Sequence, residues 1–186
     1  MMNTRVLFAA LAALPLLLQA CASTPAEYYT LDMRSSGAAA ATVTVGHVGL
    51  ADTLAGGRMP VRTSPTQLDY YAAAQWAGNL SEMISEKLRA EFGPIDPSAE
   101  SVVVDVRLLS FEQQDLSETS AQAYAKAEAS FRTEAISRYD KPLLFRTYEV
   151  TEPMETFDAV GLAAALSRCA ESIAQRIAAD AAAVQP

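Results

Sequence analysis

Gln122-Ala123-Tyr124-Ala125-Lys126-Ala127-Glu128-Ala129-Ser130-Phe131-Arg132 is the run on which the fold turns. Alanine is the strongest helix former, and on propensity alone these residues favour a helix. Strict alternation argues the reverse. Ala123, Ala125, Ala127, Ala129 and Phe131 share one side, while Tyr124, Lys126, Glu128, Ser130 and Arg132 share the other. A period of two held this long sets one apolar face against a core and one polar face toward water, as a strand does. Residues 122–136 therefore read as a strand, and Leu143 to Thr151 can return beside it as a hairpin across Asp140-Lys141-Pro142.

Working outward, Ser101 to Phe111 is a second strong strand, and its start, Val102-Val103-Val104, is apolar on both faces, which suits a central position. Asp115 to Ser120 reads as a polar turn. Toward the N-terminus, Tyr28 to Asp32 and Thr42 to Val48 are β-prone, and short strands fit Met59–Thr63 and Gln67–Tyr71 around a turn at Ser64-Pro65. Loops are expected at 34–41 and at 52–57, where Gly56-Gly57 permits positive backbone angles.

Two helices complete the pattern. One is predicted from about Ala73 to Phe92, with Trp76, Leu80, Met83, Ile84 and Leu88 as one apolar stripe and Gly93-Pro94 as its stop. The other is predicted from about Phe157 to Ala182, with Leu162, Leu166, Ala170, Ile173 and Ile177 as its buried line. No internal repeat or long linker divides the chain. The expected fold is a single α/β or α+β domain over residues 28–186, a mixed sheet packed with two main helices.

The N-terminus reads differently. Arg5 supplies one positive charge, Val6 to Leu18 is an uncharged apolar run, and Gln19-Ala20-Cys21 ends it. A spanning helix needs roughly 20 apolar residues, so this shorter run is a secretory signal over residues 1–20. Leu18-Gln19-Ala20-Cys21 resembles the lipobox of bacterial lipoproteins, with cleavage between Ala20 and Cys21. The resemblance implies a diacylglycerol on the Cys21 sulfur and a further acyl chain, such as palmitate, on the freed amine. Cysteine suits this because a thiolate is the better nucleophile near neutral pH. Two or more chains hold a protein stably, at about 0.8 kcal/mol per buried methylene. Residues 21–27 then form the lipidated Cys21 and a short tether. In two-membrane bacteria an Asp after the lipidated Cys favours the inner membrane; Ala22 stands here, which implies the outer membrane, periplasmic side.

Composition narrows the functions left. The chain has 186 residues, 51% hydrophobic and 19% charged, enough to bury a core. Its net charge is −8, and loss of Arg5 with the signal makes it one unit more negative. No block of Lys or Arg occurs, so nucleic acid is not an expected partner. With Cys21 acylated, Cys169 is unpaired, and its place on the apolar stripe of a helix points to an inert buried thiol. The lone histidine, His47, would have to centre any triad or imidazole metal site, and no metal-ligand spacing or P-loop accompanies it. Glu112, Asp115 and Glu118 are close in sequence but fall on the predicted turn, where solvated acids are ordinary. Catalytic, cofactor and metal residues are accordingly expected to be none, apart from the covalent lipid on Cys21.

Several short motifs in fixed order carry a family resemblance: Tyr28-Tyr29-Thr30-Leu31 soon after the lipidated Cys; Val43-Thr44-Val45-Gly46 through Val48 and Leu50; Arg58-Met59-Pro60-Val61-Arg62; then Gln75-Trp76-Ala77. In that order the chain resembles the ABC-type transport auxiliary lipoproteins, the PqiC or YmbA-like group. The resemblance implies a non-catalytic periplasmic lipoprotein that works with an MCE-domain protein and an ABC permease and ATPase in moving phospholipid or other apolar molecules, and supports membrane integrity. A homo-oligomer is compatible with this reading. The alternatives are a structural or assembly lipoprotein of the envelope unrelated to transport, and a lipoprotein hydrolase centred on His47.

Overall fold

The computed structural model describes residues 25–35, 43–94 and 101–184. The signal, Ala20, Cys21 and most of the 34–41 loop lie outside the described residues.

Strand β5 (Val102–Ser117) is the backbone of the domain. Along its whole length it pairs antiparallel with β6 (Ser120–Thr133), which pairs antiparallel with β7 (Leu144–Pro153). On its other side the first half of β5 takes β2 (Val43–Leu50) in parallel, and Gln113-Gln114 take Val61-Arg62 of β3 (Arg58–Ser64), also in parallel. β3 then turns back antiparallel into β4 (Gln67–Trp76), and β1 (Glu27–Tyr29) lies parallel beside it. Among the described residues this is one mixed sheet of seven strands.

Helix α1 (Leu80–Phe92) leans on β2, and α2 (Ala159–Ala183) lies over β5, β6 and β7 and touches α1. Both helices cover one face of the sheet, giving the expected α+β domain. The alternating run decides how closely they can lie. Ala123, Ala125, Ala127, Ala129 and Phe131 are 0% exposed beneath an equally Ala-rich α2, whose Leu162, Leu166, Cys169 and Ile177 are also fully enclosed. Small side chains on both layers bring sheet and helix together, and burial of each Phe or Leu contributes about 1.5–3 kcal/mol.

Two elements differ from expectation. The first helix begins at Leu80, not at Ala73, and Ala72-Ala73-Ala74-Gln75-Trp76 continue strand β4. Pairing with β3 and β1 on both sides overrides the helix propensity of the alanines. Trp76 is therefore a core residue at a strand end, not part of a helix stripe, tilted against Phe111 with ring centroids 5.8 Å apart. The true start carries its own signal: Asn79 caps α1, its Oδ1 accepting from Ser81 N at 3.0 Å. At the other end Gly93 takes φ 74°, the left-handed stop expected of Gly93-Pro94.

The second difference is β5, which continues through the predicted turn to Ser117. Only Glu118 and Thr119 make the reversal, between the paired Ser117 and Ser120. Glu112 and Asp115 are strand residues as a result.

Candidate functional site

The face of the sheet opposite the helices is polar and uncovered among the described residues. In register across β5, β6 and β7 it presents Asp105-Ser130-Phe145, Arg107-Glu128-Thr147, Ser110-Lys126-Glu149 and Glu112-Tyr124-Thr151. Most of its charges are paired. Lys126 Nζ meets Glu149 Oε1 at 2.6 Å, and Arg132 Nε meets Asp105 Oδ2 at 3.0 Å. Arg62 of β3 forks onto Glu112, with Nη2 to Oε2 at 3.1 Å. The Lys126 hydrogen bond holds Glu149 below the usual carboxylate range, and the Glu112 hydrogen bond pushes Arg62 further up. The Lys126–Glu149 pair, the most exposed of the three, contributes little. Arg107 and Glu128 lie opposite each other in register without an ion pair among the described residues, while the other charges named here are matched.

His47 sits at the open edge of this sheet. Between Val45 and Val48 the β2–β5 register slips, and the bulge turns the His47 N–H to Asp105 Oδ1 at 2.7 Å. Gly46 is required beside it, because a Cβ there would lie 2.3 Å from Asp105 Oδ1. Burial pushes the Asp105 carboxyl up, but the His47 N–H and Arg132 outweigh it and leave its pKa lowered. The His47 ring hydrogen-bonds no Ser, Cys or carboxylate among the described residues, so no triad assembles around it. Two open depressions flank it, of about 370 Å³ toward Ser81, Ser85 and Arg89 of α1 and about 420 Å³ toward Arg107, Arg138 and Phe145.

The remaining residues singled out by sequence are dispersed. Cys169 is 0% exposed, and burial pushes its thiol up to about 12, which fits an inert packing residue. Of the three neighbouring acids, Glu112 is buried against Arg62 and is not on a turn. Asp115 Oδ1 accepts from Gln113 Nε2 at 2.6 Å, and Glu118 alone occupies the hairpin tip. They form no acid pair. Among the described residues no group of three or more His, Cys, Asp or Glu could hold a metal ion, and no helix is long and apolar enough to cross a membrane.

A different end of the domain receives the chain from its N-terminal side. Tyr29 lies in the electrostatic field of Asp158, the N-cap of α2, and Tyr71 feels Asp158, Asp115 and Tyr29 together. Beyond β1 the chain runs down α2, with Asp32 N donating to Ser167 Oγ at 3.0 Å, and reaches α1, where Lys87 Nζ donates to Arg34 O at 2.6 Å. Glu27 therefore enters at the end of the domain where α2 begins and the β5–β6 hairpin turns. Sequence reasoning had no means to see that end, since its members are far apart along the chain.

Set against known proteins, residues 29–178 match the family model described as ABC-type transport auxiliary lipoprotein component. The crystal structure of protein XCC0632 from Xanthomonas campestris, of the DUF330 family, superposes with a TM-score of 0.68 at 19% identity, covering 82% of this chain and 93% of that one. A crystal structure of an uncharacterized protein gives 0.65 at 15% identity, covering 84% and 99%. At these identities the two structures share the fold. No curated protein matches the chain.

Proposed function

The chain belongs to the ABC-type transport auxiliary lipoprotein family, and from that premise we propose that it is a non-catalytic, periplasm-facing subunit of an MCE/ABC-type transport system for phospholipid or another apolar substrate. In this reading residues 1–20 are a cleaved signal, Ala20 and Cys21 flank the cut, and acylated Cys21 holds the protein to the outer membrane. Its partners are an MCE-domain protein and an ABC permease and ATPase, and its role is to dock that transporter and support membrane integrity. No cofactor is needed beyond the covalent lipid.

The observation that carries this is the span of the family match. It begins at Tyr29, directly after the tether, and takes in nearly the whole domain. The tether limits where docking can occur: residues 22–27 extend to roughly 20 Å at most, so a partner based in the opposite membrane has to cross the periplasm to meet the domain. The largely paired, uncovered sheet face and the lack, among the described residues, of a hydrogen-bonded Ser, Cys or carboxylate at the His47 ring support recognition over chemistry.

The test is genetic and biochemical. Deleting the gene should sensitise the envelope to detergent, wild type should restore resistance, and Cys21→Ala should not. Palmitate should label the wild-type protein in outer-membrane fractions and leave Cys21→Ala unlabelled. Full rescue by Cys21→Ala would contradict the role of the anchor.

A further inference from the structure

Large apolar side chains stand in solvent at both ends of the domain: Tyr139, Leu143 and Phe145 by the β6–β7 connection, and a second set at the end where α2 begins. Phe157 is 47% exposed and Val160 61%, at the start of α2; Leu116 is 62% exposed beside the β5–β6 hairpin; Tyr28 is 66% exposed on β1. Topology brings Leu116, Phe157 and Val160 to one end. Pro153, the last residue of β7, pairs with Gln122, which pairs with Gln114, so α2 starts level with the top of β5. Tyr28 pairs with Gln75, which pairs with Arg58, and so lies lower on the sheet, away from this end. Exposed large apolar groups ask for an occupant, and the short tether decides which of the two ends meets a membrane.

The start of α2 is braced outward. Asp158 Oδ1 accepts from Gly161 N at 2.8 Å and from Thr156 Oγ1 at 2.8 Å. Gly161 is the residue that lets Thr156 close in, since a Cβ there would meet Thr156 O at 2.1 Å. With those groups turned inward, Phe157 and Val160 are left facing solvent as fixed projections from a short turn.

The length of chain outside the domain decides what covers them. Residues 22–27 reach roughly 20 Å from Cys21, whereas β5 alone spans about 50 Å at about 3.3 Å per residue. A domain tethered at Glu27 keeps the α2 end near the bilayer and its opposite end, with Tyr139, well away. We propose that Phe157, Val160 and Leu116 form a rim that inserts into the surface of the phospholipid bilayer and holds the domain in one orientation on it. This rests on the acylation of Cys21. Each apolar side chain taken from water adds a modest favourable contribution. That is too little to bind a membrane alone, but it is enough to orient a protein that a lipid already holds there. Glu27, Glu118, Glu155 and Asp158 at the same end favour a zwitterionic surface over an anionic one.

The acylated full-length protein in phosphatidylethanolamine/phosphatidylcholine vesicles tests this. Cys169 is enclosed and Cys21 is acylated, so a thiol-reactive environment-sensitive fluorophore marks only an introduced cysteine. Labels at Val160→Cys and Leu116→Cys should emit blue-shifted and be quenched by brominated lipid, while a label at Tyr139→Cys, 86% exposed at the far end, should not. Added phosphatidylglycerol should reduce the quenching at 160. Equal, weak quenching at all three positions in a preparation whose intact mass shows the acyl chains would overturn the rim and leave the anchor standing. An intact mass without acyl chains would overturn the anchor reading and this inference with it.

Discussion

Lys87 and Glu91 form an ion pair at 2.7 Å inside the protein, with side chains only 2% and 1% exposed. The two lie one turn apart on α1, and the same ammonium also donates to Arg34 O, tying the helix to the segment that arrives from the tether. Breaking such a pair leaves a buried charge, which costs about 3–5 kcal/mol, whereas an apolar replacement of both partners can be neutral. Glu91→Ala should therefore lose about 3–5 kcal/mol in urea unfolding, and Lys87→Met/Glu91→Leu should lose far less. Equal losses would show that the charge is not what the single variant strands.

The alanine row makes a sharper demand on packing. Ala127 is 0% exposed beneath Ala170 and Ile173, while Lys126, its neighbour in sequence, sits on the open face. Overfilling a packed layer costs about 1–3 kcal/mol. Ala127→Leu should lower the unfolding free energy by about that much or more, and Lys126→Leu should change it by less than about 0.5 kcal/mol. A helix at 122–132 would not separate the two positions in this way.

These residues also show what the sequence could reveal. A period of two in Gln122 to Arg132 survived against propensity because the face it makes is buried by α2, and that requirement is written locally. Trp76 misled because its spacing to Leu80 and Met83 mimics a helix stripe by coincidence, while the strand status of Ala72 to Trp76 depends on pairing with β1 and β3. Asn79, a cap followed by Ser81 and Glu82, was the local signal that outranked the stripe. The burial of Glu112 was invisible because Arg62, its partner, lies on another strand. The lipobox pattern at Leu18 to Cys21 is legible without any fold, while the apolar end around Phe157 and Leu116 arises only from topology.

Acid should act on the bulge at His47. The Asp105 pKa is lowered from 3.8 in the folded state, so its contribution is present above that value and is lost as pH falls through the folded pKa. Asp105→Asn should flatten the decline of stability below about pH 4. Gly46→Ala should displace the carboxylate from the His47 N–H and raise the Asp105 pKa, measurable by carbon-detected NMR titration. An unchanged titration in Gly46→Ala would contradict the clash.

Cys169 offers a readout of the core. With its thiol buried and its pKa raised to about 12, it should resist maleimide or disulfide reagents at pH 8 and react fully once unfolded in urea. Prompt labelling of the native protein would mean that α2 opens from the sheet far more readily than its packing implies.

The docking role stands or falls on whom the protein meets. In cells carrying the affinity-tagged wild-type protein at native level, crosslinking and purification should recover an MCE-domain protein, and Cys21→Ala at the same abundance should recover much less. Recovery of no MCE protein across repeated crosslinked preparations, or equal recovery with the unanchored variant, would contradict an acylated subunit that receives the transporter at its membrane.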